Sequence, residues 1–94
     1  MLVCMFVTVT GMFVVGELVE SQNDVYVVDE PLMVGYVRQE PDNIVLVPYP
    51  PYAKSNRTIK FFRHGLLCEP YPVTDELKQI YLEMTQKESQ NVQQ

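Results

Sequence analysis

The chain has 94 residues, 47% of them apolar, and carries 12 acidic against 7 basic side chains for a formal charge of −5. That length holds a single domain near the size at which one core needs help from a metal, disulfides or partner chains. The negative charge excludes wholesale electrostatic binding of duplex nucleic acid, which depends on many Lys and Arg neutralising phosphates.

In chain order, Met1 to Val9 is apolar enough to resemble the core of a signal peptide. It has neither a basic leading region nor a small-residue cleavage site, so Leu2 to Val9 reads as a first β-strand. Gly11 supplies a turn into a second strand, Met12 to Glu20, whose apolar residues alternate with polar ones. Gly16 lies inside that strand, where a glycine marks a sharp bend or a close approach of two backbones. The polar cluster Ser21-Gln22-Asn23-Asp24 separates it from a third strand, Asp24 to Asp29. Pro31 has no donor for a ladder bond, but Leu32 to Val37 is extended again, so the strand is expected to continue past a bulge.

Glu40-Pro41-Asp42-Asn43 reads as a turn and Ile44 to Val47 as a fourth strand, ended by the prolines of Pro48-Tyr49-Pro50-Pro51. A polar loop, 53–57, leads to a last extended segment, Thr58 to Arg63 and Leu66 to Cys68, with Gly65 as a turn or bulge between its halves. The pattern then changes. Thr74 is placed as the N-cap of a helix, with Asp75 and Glu76 in its first turn to complement the dipole. Leu77, Ile80, Tyr81 and Met84 fall on one face and must dock on the barrel or on a neighbouring subunit. The expected organisation is a β-barrel over 1–72, an amphipathic helix over 73–87 and a disordered polar tail over 88–94.

Two cysteines, Cys4 and Cys68, do not make a disulfide framework, and the expected compartment is the cytoplasm. No run of apolar residues reaches the length of a membrane span, since Thr8, Thr10, Gly11, Gly16 and Glu17 interrupt the one candidate. With a single histidine, His64, the chain lacks metal-ligand spacing of the CxxC or HxxxH kind, so neither a metal nor another cofactor is expected. His64 and Cys68 would stand about 13 Å apart along a strand, too far for a thiolate pair. No arrangement of nucleophile and base is visible, and the chain reads as a non-enzyme.

Charge is unevenly distributed. Residues 1–37 hold five acids and no Lys or Arg, while 38–94 hold seven of each sign. Between Asn43 and Cys68 there is no acid at all, and Lys54, Arg57, Lys60, Arg63 and His64 gather there beside Tyr49, Tyr52, Phe61 and Phe62. Aromatic rings among cations suit single-stranded nucleic acid, where bases stack and phosphates pair with Lys or Arg. The same residues also serve as ordinary solubilising charges and as the rings that cover a barrel end.

Gly11, Val15, Gly16, Leu18, Asp24, Tyr26 and Asp29 resemble the first motif of the Sm-like (LSm and Hfq-type) family, and are closest to small Sm-like proteins of phage genomes. The resemblance implies an SH3-like, strongly bent, five-stranded antiparallel barrel, here with a C-terminal α-helix. It also implies a closed homo-oligomeric ring in which the fourth strand of one subunit pairs with the fifth of the next, covering the open sheet edges. Those strands would be Ile44 to Val47 and Lys60 to Cys68. By the same resemblance Asp24 and Tyr26 match an RNA-binding set, and Arg63 and Gly65 match the Arg-Gly pair of the second motif, with His64 inserted. Lys60 and His64 would add phosphate contacts. Val28 stands where the family has its base-reading Asn, so the hydrogen bonds that select uracil would be missing. The family's helix also precedes the first strand, whereas here it follows the last. Two functions follow as expectations: a ring that binds single-stranded RNA through Asp24, Tyr26, Lys60, Arg63 and His64, or a viral structural or assembly protein that binds protein partners.

Overall fold

A computed structural model describes residues 1–37, 40–50 and 58–93. The chain forms β1 (Val3–Val7), β2 (Phe13–Gln22), β3 (Val25–Val37), β4 (Glu40–Pro48), β5 (Thr58–Phe62), a 3-10 turn (Arg63–Gly65), β6 (Tyr71–Pro72) and α1 (Asp75–Gln93). It is mainly β, with one antiparallel sheet ordered β4-β3-β2-β1-β6, and β5 paired to β3. The helix reaches past residue 87, where the sequence pattern places its end.

The two hairpin turns follow from local chemistry. In the first, Gly11 takes φ +88°, and Thr8, itself buried, accepts a 3.0 Å bond from the Met12 N–H on its hydroxyl. In the second, β2 and β3 extend until Gln22 pairs with Val25, leaving only Asn23 and Asp24, both left-handed at φ 52° and 63°. That is the backbone a two-residue hairpin needs, and Asn and Asp tolerate it better than other side chains. The polar cluster expected as a loop therefore lies half inside the strands.

β3 is the spine. Its first half pairs with β5, from Val25 opposite Phe62 to Asp29 opposite Thr58, and its second half pairs with β4, from Leu32 opposite Pro48 to Val37 opposite Glu40. β4 and β5 thus follow one another along the same edge of β3. The break between the halves is a bulge: Val15 pairs with Leu32 and Glu17 with Asp29, so Glu30 and Pro31 together oppose Gly16. Glu30 adopts φ 50°, and a Cβ on Gly16 would lie 2.5 Å from Val28 Cγ1 and 3.4 Å from Pro31 Cα. The expected bend, close approach and bulge are one feature.

Two expectations change. Glu40 to Asn43, read as a turn, belongs to β4, because its pairing with β3 begins at Glu40. The turn expected at Gly65, between the halves of the segment after Thr58, is present and begins earlier, at Arg63. Arg63–Gly65 coil into the 3-10 turn, which carries the chain from the β3 edge to β1, where Thr8 bridges Leu66 and the Leu67 N–H donates to the Val7 carbonyl at 2.8 Å. Tyr71–Pro72 adds a further short strand on β1. The sheet curls back on itself in a barrel-like form.

The core has two layers. Cys4, Phe6, Val14, Tyr26, Val28, Phe61 and Leu66 fill the space inside the curl, with the Phe6 and Phe61 rings stacked at 5.2 Å. Val3, Val15, Leu32 and Leu46 make a second layer under Leu77 and Tyr81 of α1. Thr74 caps the helix, its hydroxyl accepting from the Leu77 N–H at 3.3 Å. Of the apolar stripe, Leu77 and Tyr81 are buried while Met84 is exposed. The Tyr81 hydroxyl donates to the carbonyls of Asp29 and Glu30 at 2.9 and 3.1 Å, which fastens the helix to the bulge.

Val28 is a stiff, fully buried neighbour that cannot swing aside from a new methyl group. Gly16→Ala is expected to lower stability by about 1–3 kcal/mol through overpacking, measured as a shift in the urea midpoint by circular dichroism. An unchanged midpoint would mean that the approach at Gly16 is not tight.

Candidate binding surface

The five residues singled out in the sequence converge on one end of the sheet, but not as a single open site. Tyr26 lies opposite Phe61 in the β3–β5 ladder and is only 7% exposed, its ring tilted against Phe6 at a centroid distance of 6.4 Å. A ring held in the core offers no free face to a nucleobase. Its hydroxyl donates to a Glu69 carboxylate oxygen. The other Glu69 oxygen lies 2.7 Å from Arg63 Nη2, and Arg63 Nη1 lies 3.4 Å from Asp24 Oδ1. The Arg63 N–H also donates to the Asp24 carbonyl at 2.9 Å. Asp24, Tyr26, Arg63 and Glu69 form a closed clasp between the β2–β3 turn and the segment leading into β6.

The clasp shifts its own titrations. The hydrogen bond to Glu69 is the main cause that pushes the Tyr26 phenol above the ordinary tyrosine range, with burial adding to it. The Arg63 guanidinium is held protonated more firmly still, first by Asp24 and then by Glu69. Arg63 is therefore a cation whose charge is already matched by two carboxylates, and a phosphate would have to compete with both.

Lys60 and His64 are placed differently. On β5 the alternation sends Phe61 inward and leaves Thr58, Lys60 and Phe62 exposed, Phe62 by 52%. The His64 ring stacks on Phe62 at 5.9 Å. Lys54 and Arg57, the other cations of the acid-free run, lie outside the described residues. Between this row and the β1–β2 turn runs an open groove of about 470 Å³, lined by Val9, Thr10, Tyr49, Lys60, Phe62 and His64 among others. A second, smaller hollow of about 310 Å³ is lined by Lys60 with Glu20, Gln22, Asn23, Val25 and Val27.

Glu69 and the exposed role of Phe62 were not visible in the sequence. The contact of Glu69 with Tyr26 spans 43 positions and exists only once the sheet has curled. Strand alternation requires one of Phe61 and Phe62 to point outward, but only the pairing with β3 decides which.

Among the described residues no group of three or more His, Cys, Asp or Glu side chains is gathered to hold a metal ion. Cys4 is buried, which pushes its thiol pKa up, and Cys68 is exposed; both are free thiols. Among the described residues no helix is long and apolar enough to cross a membrane. No protein-family model matches the chain, and no curated protein matches it.

Burial also raises the Tyr81 phenol above its ordinary value of 10.0. A phenol whose folded pKa is raised supports the fold fully below its unfolded pKa, and that support is lost as pH climbs above it. Stability is therefore expected to hold to pH ~10 and then to fall, with the Tyr26 and Tyr81 phenols ionising late. In an ultraviolet phenolate titration Glu69→Gln should bring one late tyrosine back toward the others. A profile identical to wild type would show that Glu69 does not hold Tyr26.

Proposed function

We propose that the protein is an Sm-like barrel that assembles with copies of itself into a ring and acts as a scaffold for protein partners. The observation that carries this reading is the outer edge of β4. Ile44, Val45 and Val47 are 43%, 39% and 37% exposed on a strand that, among the described residues, pairs only with β3, so apolar side chains stand exposed along an edge of the sheet. An edge of that kind calls for a partner strand, and a closed ring of identical chains supplies one without leaving a new edge.

Strand succession supports the Sm-like form. Taken together, β4 and β5 behave as one interrupted strand on β3, and the stretch from Leu66 to Pro72 as the strand that returns to β1 after a 3-10 turn. Counted so, the chain makes five bent antiparallel strands. Small chains near the lower limit of autonomous folding gain the most from burying a shared edge.

Single-stranded RNA is the second reading. The observation that favours it is the row Lys60, Phe62 and His64, where a ring pair stands beside a cation. Against it stand the burial of Tyr26, the two carboxylates on Arg63 and the net charge of −5. The two readings separate by salt, because phosphate contacts weaken steeply as ionic strength rises whereas an apolar protein interface does not.

Light scattering on the purified protein should give a mass that is a small whole multiple of the 10.9 kDa chain. Replacing both Val45 and Val47 by Lys should reduce it to the single-chain mass while circular dichroism stays that of the folded protein, since inward or edge lysines block strand pairing. A wild-type monomer would overturn the ring. Binding of labelled oligo-U that falls with salt and is weakened by Lys60→Ala would establish the RNA reading in place of the protein one.

A further inference from the structure

We infer that the groove between the β1–β2 turn and β5 is a docking site for a short acidic peptide of a partner protein, with an apolar side chain against Phe62 and flanking carboxylates on Lys60 and His64. This rests on the scaffold reading and names the class of partner the scaffold takes.

Three observations carry it. The first is size and shape. At about 470 Å³ the groove is far too large for an inorganic ion and matches one or two side chains of an extended segment. It is open along its length, as a peptide requires and a small enclosed ligand does not.

The second is the apolar surface. Val9 is 55% and Phe62 52% exposed, and they line the same groove. Scattered apolar residues on a surface need no explanation, but a large ring and a branched side chain lining one concavity mark a recognition surface. Beneath them Phe61 is fixed by stacking between Phe6 at 5.2 Å and Tyr49 at 5.9 Å. The floor is thus rigid, which limits the ordering cost of binding.

The third is charge. The groove's lining includes Lys60 and His64 and no acid among the described residues. Arg63 is consumed by Asp24 and Glu69, whereas Lys60 makes no ion pair among the described residues. In a chain of charge −5 this is a local reversal of sign, and a carboxylate-bearing ligand complements it. Two polar heads flanking one ring fit a peptide with one apolar anchor. Among the described residues they are too few to follow the phosphates of a nucleic-acid strand, which requires a continuous row of cations.

The test uses the full chain and fluorescence anisotropy with a fluorescein-labelled short peptide of alternating glutamate and phenylalanine. Two control peptides replace every glutamate by lysine or every phenylalanine by glycine. The glutamate–phenylalanine peptide should bind, and both controls should be weaker by about tenfold or more, as should binding of the first peptide to Phe62→Ala or Lys60→Glu. Both positions are exposed, so the variants should retain the wild-type circular dichroism. Equal binding of the glutamate and lysine peptides, binding unaffected by either variant, or displacement of the peptide by oligo-U would each overturn the proposal. Light scattering on the same sample keeps the two ideas apart: a monomer that binds the peptide overturns only the ring, and a ring that ignores it overturns only the groove.

Discussion

The architecture depends on the contact between Gly16 and the bulge at Glu30–Pro31. Without a side chain at Gly16, β3 can cross close above β2, and the one extra residue of the bulge turns its direction. Everything downstream uses that turn. It gives β3 two halves facing different ways, so that β5 pairs with one and β4 with the other, and it aims the carbonyls of Asp29 and Glu30 at the Tyr81 hydroxyl of the helix. A left-handed Glu30 costs on the order of 1 kcal/mol or more. The buried bonds from Tyr81 are of similar size and offset it.

The same bend determines which charges meet. By curling the sheet, it brings Glu69 from beyond the 3-10 turn to Tyr26 and Arg63. The clasp is exposed at Arg63 and Glu69, so each ion pair contributes little by itself. Its larger effect is on chemistry at the surface: Arg63, beside the turn, is neutralised, and Lys60 and His64 are left as polar heads of a largely apolar groove. A surface that looks basic in sequence is therefore, in three dimensions, a small cationic rim beside an aromatic wall.

The sequence made the strand content, the close approach at Gly16, the continuation past Pro31 and the cap at Thr74 legible, because each has a local cause: glycine's missing Cβ, proline's missing donor, threonine's hydroxyl. The extent of the β2–β3 turn was harder to read. Ser21 and Gln22 are polar, yet they sit in strands because Asn23 and Asp24 alone supply the left-handed pair the hairpin needs. The short strand Tyr71–Pro72 had no sequence signal of its own, and on the edge of β1 the donor that proline lacks matters little. The site was legible only in part. Lys60 and His64 stand out as an acid-free run predicts, whereas the hydrogen bond of Tyr26 to Glu69 and the pairing of Arg63 with Asp24 join positions more than thirty apart.

The two-layer core has a consequence for how the chain comes to be folded. The inner layer joins strands from both ends of the barrel, and the outer layer uses Val3, Val15, Leu32 and Leu46 from the first half of the chain under a helix at its end. During synthesis those four side chains leave the ribosome well before Leu77 and Tyr81 exist to cover them. The emerging sheet therefore presents a greasy outer face for as long as translation takes to reach α1, at about 5–20 residues per second. The helix can dock only after its own residues have been made, so the cover over this layer follows the sheet that it protects.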